Sequence, residues 1–409
     1  MVSGPGGPPA VRKDALTVSL LLAAYTYPPV IGGSELEAQR VCASLIARGH
    51  RVEVLTGGGE PMPAVSAWLD PCGVPVRIFG NGRREPWKAR IYALSVAWHL
   101  WRRRREYELV YFLMPGLQVV LGAPVARLLG KRVFMKFSGS NTVRPLAGSW
   151  MGRLHLRVLR RTAERIMVLN PGMVEEARDC GLDEERLCWM PNPVDTAVFA
   201  PPAEAERAEL RERLGIPARA PVILFVGRLA PEKELGSLLD AFARLGERHP
   251  DACLVLVGDG PERAALERRA GLRVRFTGMT APGQVAGWMQ IADVFALVSS
   301  LEGFPCALAE AMSCGLAPVA SDIPANRQLI RDGETGLLAP LRDAEAIAAA
   351  LDRLLGDDGL RARLGRAARQ EIAGRYSNDK VVERYEALFG VSPETSGTAR
   401  PPSGDTLRG

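Results

Sequence analysis

Short unbroken apolar runs recur along this chain, separated by stretches in which apolar residues return every three or four positions. Leu16–Ala24, Arg51–Leu55, Val76–Phe79, Leu109–Phe112, Arg132–Lys136 and Arg165–Leu169 form a first series. Val222–Val226, Cys253–Val257, Val274–Thr277, Val294–Val298 and Ala317–Ala320 form a second. Unbroken runs mark strands buried on both faces. With helices between them they predict βαβ units, and hence an α/β protein built on doubly wound parallel sheets. The rhythm restarts after PPAEAERAELRERLGIPARAP, a polar stretch flanked by prolines that reads as a connection carrying one short helix. The expected division is a disordered N-terminus at 1–14, a first domain at 15–195, a connection at 196–220 and a second domain at 221–375. A helix at 376–390 is expected to return to the first domain, and 391–409 to form a disordered Pro/Gly-rich tail. Two such domains leave a cleft at the carboxyl ends of their strands, where open α/β sheets bind ligands.

Composition narrows the class. With 409 residues, 47% hydrophobic and 24% charged, the chain can bury a core without disulfides or metals. Its seven Cys are odd in number and include no CxxC pair, which fits thiols in a reducing compartment. The first fourteen residues lack the apolar segment of a secretory leader, and no run of 18 apolar residues occurs. The expected location is therefore cytoplasmic, with any membrane contact peripheral on the inner face of the plasma membrane. The net charge of +6 is mild. No zinc, helix-turn-helix or RNP signature accompanies it, so no nucleic-acid partner is expected; a basic nucleic-acid-binding protein stands as an alternative class. The four His sit in unrelated contexts, and no metal-ligand spacing is present.

Three clusters carry chemistry. Tyr27-Pro-Pro-Val-Ile-Gly-Gly-Ser-Glu35 follows the first strand and opens a helix. Ser34 and Glu37 fit a capping box, and Ala38, Val41, Cys42, Leu45 and Ile46 supply an apolar face. Gly32 and Gly33 would let the backbone approach a phosphate at a helix N-terminus; a plain strand–helix turn is the other reading. Gly227-Arg228-Leu-Ala-Pro-Glu-Lys233 follows the strand Val222–Val226. Arg228 offers a planar fork and Lys233 a point charge, a pair suited to a diphosphate, unless both are solvated charges at a helix start. The third cluster runs from Glu302 to Gly315, with a helix expected over Pro305–Cys314. Glu310 lies inside that helix among Ala and Leu, where a carboxylate needs a partner; a hydroxyl-bearing ligand would serve.

These segments together resemble the GT4 family of retaining glycosyltransferases, whose GT-B fold sets two Rossmann-like domains across a cleft. The resemblance rests on YPPVIGGSE, GRLAPEK, VGDGPE (257–262) and EGFPCALAEAMSCGLAPVASD (302–322), with PNPVD, FTGM and DGETGLLAP between and after them, over about residues 15–390. It implies that Glu302 contacts the donor sugar, Glu310 the nucleotide ribose, and Arg228 and Lys233 the donor diphosphate. Gly227, Gly303, Phe304 and Pro305 would lie against the donor, and Gly32 and Gly33 would face the diphosphate from the first domain. Transfer of a sugar from a nucleotide diphosphate sugar, a UDP-sugar by preference, to a carbohydrate or lipid-linked hydroxyl is implied, with retention and without a metal or other cofactor. Consistently, the chain holds no Asp-x-Asp. A nucleotide-sugar epimerase shares this architecture. Where many family members carry a His, this chain reads Lys136-Phe-Ser138-Gly-Ser140, so Lys136, Ser138 or Ser140 would take over acceptor or sugar contacts, with Asn192 beside them.

One basic segment stands apart. Trp98-His-Leu-Trp101-Arg102-Arg103-Arg104-Arg105 closes a helix expected over Lys88–Arg105, with Ile91, Leu94, Trp98 and Trp101 on one face. The expectation is a core-facing stripe with cations at the helix C-terminus. Contact with an anionic membrane is the alternative.

Overall fold

The computed structural model describes residues 17–29, 32–58, 67–79, 86–139, 141–246 and 248–391. The expected tail at 1–14 lies outside them, as does the tail beyond Val391, together with Val30 and Ile31 of the first glycine loop and Ser140.

The chain builds two sheets. The first takes its strands from β1 (Ser19–Ala24), β2 (Arg51–Thr56), β3 (Ala67–Leu69), β4 (Pro75–Ile78), β5 (Leu109–Leu113), β6 (Arg132–Lys136), β7 (Arg165–Val168) and β8 (Leu187–Trp189), in the order β3-β4-β2-β1-β5-β6-β7-β8. The second comprises β9 (Val222–Val226), β10 (Cys253–Val257), β11 (Val274–Gly278), β12 (Val294–Leu297), β13 (Ala317–Ser321) and β14 (Leu337–Ala339), in the order β11-β10-β9-β12-β13-β14. Every pairing is parallel except β3 with β4. The eleven expected runs all appear as strands. β3, β8 and β14 went unread: each spans three residues at a sheet margin, too short for an apolar run to stand out.

The period of two along β1 explains how the first sheet is covered. Leu20, Leu22 and Ala24 join a core with Ala38, Val41, Cys42 and Leu45 of helix α1 (Gly33–Ala47) and with Val381, Val382 and Tyr385 of the helix Asn378–Leu388. Leu21 and Ala23 point to the other face, against Tyr92, Val96 and Leu100 of helix α2 (Pro86–Arg102). Helix α3 (Leu117–Leu128) and the helix Trp150–Thr162 complete that layer.

The expectation for α2 is overturned. Tyr92, Ala93, Val96 and Leu100 are its buried face, while Ile91, Leu94, Trp98 and Trp101 are exposed. Both faces of α2 are apolar, so periodicity alone does not choose between them. Small side chains decide: Ala93 and Val96 let α2 settle close, and a Cβ on Gly122 of α3 would come within 3.4 Å of Leu100 Cδ1.

The chain crosses between the domains after Val194 and returns at Tyr376. The two crossings are hydrogen-bonded to each other: the Val194 N–H donates to the Tyr376 carbonyl (2.7 Å), and the Asn378 N–H donates to the Val194 carbonyl (3.0 Å).

Candidate active site in the interdomain cleft

The loop after β12 leads into a short helix, Cys306–Ser313, at the carboxyl edge of the second sheet. Pro305 occupies its N-cap rather than its first turn, so the helix is shorter than the expected Pro305–Cys314. Its end is well specified. Gly315 adopts φ +80°, with Gly315 N–H donating to the Met312 carbonyl (3.0 Å) and Leu316 N–H to the Ala311 carbonyl (3.1 Å). This is a Schellman arrangement that only glycine adopts without strain. Leu308, Ala309, Ala311 and Met312 are buried, which fixes the helix and aims Glu310 at the cleft. Burial pushes the Glu310 carboxyl above the ordinary carboxylate range, and the Arg40 guanidinium works against that shift. Arg40, from α1 of the other domain, sets Nη1 and Nη2 both 3.2 Å from Glu310 Oε1. Glu302, at the start of the loop, accepts from Lys233 Nζ at 2.6 Å.

Backbone contact brings the two cations to this edge. A Cβ on Gly258 would lie 1.9 Å from the Gly227 carbonyl oxygen, and one on Gly260 would lie 2.2 Å from that of Leu229. The turns after β9 and β10 are therefore pressed together, with the Leu229 N–H donating to the Asp259 carbonyl at 2.9 Å. Arg228 sits exposed on this ridge, and Lys233 ends the 3-10 turn Pro231–Lys233 that follows.

The first domain supplies the facing wall. Gly32, in extended backbone, is the N-cap of α1 and has no capping side chain. The expected capping box between Ser34 and Glu37 does not form. Glu37 is instead buried, taking hydrogen bonds from Lys136 Nζ (2.9 Å) and the Tyr385 hydroxyl (3.0 Å). A buried ammonium offers this carboxylate more than a backbone N–H does. A Cβ on Gly33 would stand 4.0 Å from Cys306 Sγ, so the N-termini of α1 and of the Cys306–Ser313 helix face each other across the cleft. Their N–H groups and dipoles favour an anion between them. Burial, then the Glu310 charge, pushes the Cys306 thiol up to about 11.

Glu302, Gly303, Phe304, Pro305, Glu310, Lys233, Arg228 and Gly227 thus share one rim, with Gly32 and Gly33 opposite. Lys136 lies deeper. It is fully buried, and its three protons go to Glu37, Asn192 Oδ1 (3.1 Å) and the Tyr385 hydroxyl (3.1 Å). A sugar contact from Lys136 requires one of these bonds to be given up. Asn192 also donates to Cys306 Sγ (3.5 Å), linking the lysine to the Cys306–Ser313 helix. Among the described residues, Ser138 Oγ is buried without a hydrogen-bond partner. Two residues were not foreseen. Asn170 Nδ2 donates to the Gly303 carbonyl (2.7 Å), tying the first domain to the glycine of the third cluster. Arg40 carried a faint signal, since Gly33, Glu37 and Arg40 fall on one helical face at i, i+4 and i+7.

Two family models match the chain in order: Glycosyl transferase 4-like domain over residues 32–193 and Glycosyl transferases group 1 over 206–371. The chain belongs to the GT4 family of glycosyltransferases. Among this chain's relatives, an alpha-D-kanosaminyltransferase of Streptomyces kanamyceticus is 33% identical over 56% of this chain and 61% of that protein. A phosphatidyl-myo-inositol mannosyltransferase of Mycolicibacterium smegmatis is 37% identical over 51% of this chain and 55% of that protein. The chain therefore spans little more than half the length of these curated relatives. Among solved structures, HepE of Anabaena in complex with UDP superimposes with a TM-score of 0.77 at 20% identity, over 91% of this chain and 99% of that one. The likeness is one of fold, the two-domain GT-B architecture.

Proposed function

We propose that this glycosyltransferase moves a sugar from a nucleotide diphosphate sugar to an acceptor hydroxyl with retention of anomeric configuration. One observation carries the reading. Two carboxylates eight residues apart, Glu302 and Glu310, flank the same helix N-terminus that Lys233 and Arg228 border, opposite the Gly32-Gly33 turn. A donor matches that layout group by group. Glu310 accepts from ribose hydroxyls, releasing Arg40. Lys233 shifts from Glu302 toward the diphosphate, and Glu302 accepts from a sugar hydroxyl. Arg228 and the converging N–H groups add positive potential where the leaving diphosphate gains charge. That is the work a divalent metal does in other diphosphate-leaving reactions, so turnover without a metal is part of the proposal.

Retention follows from a front-face route. The acceptor oxygen bonds to the anomeric carbon on the face the diphosphate leaves. The departing phosphate oxygen takes the acceptor proton, so one C–O bond forms, one breaks, and the proton ends on the nucleotide. A UDP donor is preferred because a protein of the same fold binds UDP. An acceptor in cell-surface polysaccharide or glycolipid synthesis is favoured by the names of relatives, among them a lipopolysaccharide core biosynthesis glycosyltransferase of Rhizobium meliloti.

Kinetics of Lys233→Ala, Lys233→Arg and Glu310→Ala, with the Kd of UDP for each, test the assignment. Lys233→Ala lowers kcat about 10²-fold or more while donor KM rises less, by analogy with losing one oxyanion donor. Lys233→Arg does not fully restore it. Glu310→Ala weakens UDP binding itself. A Lys233→Ala enzyme that binds and turns over like wild type overturns the donor-site reading.

A further inference from the structure

Among the described residues, the apolar face of α2 has no partner. Trp87, Ile91, Leu94, Trp98 and Trp101 are 53%, 45%, 61%, 54% and 55% exposed, at successive spacings of four, three, four and three. That is one unbroken stripe along a helix of 17 residues, about 25 Å long. A run of five large apolar side chains in water marks an interaction surface rather than scattered exposure. Each of the three indoles in the stripe carries a cation over its ring: Lys88 over Trp87 (5.4 Å), Arg102 over Trp98 (5.5 Å) and Arg104, just past the helix, over Trp101 (5.4 Å).

Charge selects the occupant. From Pro86 to Ala163 the chain carries fifteen Lys and Arg against two acids, Glu106 and Glu108; the remainder holds 37 Lys and Arg against 44 Asp and Glu. The modest net charge therefore conceals a basic stretch in a slightly acidic chain; within that stretch Lys136 is buried against Glu37, and Arg103, Arg132 and Arg144 pair with Glu53, Glu164 and Asp179. α2, α3 and the helix Trp150–Thr162 contain no Asp or Glu at all. The last of these exposes Trp150 and Met151 with Arg153 and Arg157. Aromatic and aliphatic side chains set among cations, with acids excluded, match an anionic bilayer surface, where indoles sit at the headgroup level.

We infer that α2 lies on an anionic membrane with its exposed stripe inserted among the headgroups. Position ties this surface to the cleft. The Tyr92 hydroxyl donates to the Leu55 carbonyl (2.9 Å) near the end of β2, and Tyr25, just past β1, meets the Tyr92 ring at 5.4 Å. The first turns of α2 thus stand at the carboxyl edge of the first sheet, beside the cleft mouth. A bilayer against the stripe brings lipid headgroups to that mouth. Docking stands independently of the transfer reading; delivery of a lipid-borne acceptor rests on it.

Cosedimentation of the full chain with vesicles of phosphatidylcholine alone, or with phosphatidylglycerol added, tests the docking. Wild type is expected to pellet with anionic vesicles at low salt and to be released at high salt. Arg102→Gln/Arg105→Gln lowers partitioning roughly 30-fold, about fivefold per cation. Leu94→Glu/Trp98→Glu abolishes it, with melting temperature and UDP affinity unchanged, since these side chains are exposed. Equal binding to neutral vesicles, no binding to either, or a dimer in sedimentation velocity that Leu94→Glu dissociates each overturns the inference. A wild-type chain that binds anionic vesicles but shows no thermal shift with UDP leaves the docking standing and removes the donor reading.

Discussion

Lys136 offers the sharpest test of how the first domain is held together. Its ammonium is fully buried and bonded to Glu37, Asn192 and Tyr385, and Glu37 is only 2% exposed. Lys136→Met keeps most of the volume and, among the described residues, leaves the Glu37 carboxylate with only the Tyr385 hydroxyl. Breaking a buried pair in this way costs about 3–5 kcal/mol. For a domain of this size that lowers Tm by about 6–20 °C. Lys136→Met/Glu37→Leu removes both charges and is expected within about 1 kcal/mol of wild type. Urea unfolding of wild type, both single variants and the double variant gives the coupling energy directly. Because Tyr385 belongs to the returning helix Asn378–Leu388, amides of that helix exchange faster in Lys136→Met. A single variant costing less than about 1 kcal/mol, or a double variant whose losses simply add, refutes the argument. A Lys136→Met protein of wild-type stability with a tenfold lower kcat would show the residue to be a sugar contact instead.

Two further outcomes are expected. Turnover persists in EDTA, and a loss that Mg²⁺ or Mn²⁺ restores would falsify the metal-free proposal. Glu53 is the other case: burial opposes its charge, but the His99 ring 3.6 Å away, a hydrogen bond from Arg77 and the Arg103 charge hold its pKa down to about 2, from an ordinary 4.5. A depressed carboxylate stabilises the fold above its unfolded pKa, and that stability is lost as pH falls toward the folded value. The gap between wild type and Glu53→Gln is therefore widest above pH 4.5, at about 3 kcal/mol, and closes toward pH 2; denaturation curves showing a pH-independent gap sink the assignment.

The second-domain rim of the cleft was legible because its determinants are local. Glu302, Pro305, Glu310 and Gly315 fall within fourteen residues, and turn and helix chemistry orders them without help from elsewhere. What the sequence concealed depends on distant partners. Arg40 reaches Glu310 across 270 positions, and Asn170 reaches Gly303 across 133. Glu37 resembled a capping residue until a lysine 99 positions away claimed it. The orientation of α2 failed for a related reason. Its larger apolar stripe looked like the core face, but close packing on a sheet favours Ala93 and Val96 over a row of indoles.

The paired crossings at Val194 and Tyr376–Asn378 govern how the halves move. One covalent tether would leave the domains free to swing and twist about many directions. Two tethers laced by hydrogen bonds behave as a pinned joint, in which rotation about the line through both strands is the soft coordinate. Shear and twist would break the Val194 bonds and are stiff by comparison. An opening about that joint would retrace one arc, returning Arg40 to Glu310 and Asn170 to Gly303 in the same register.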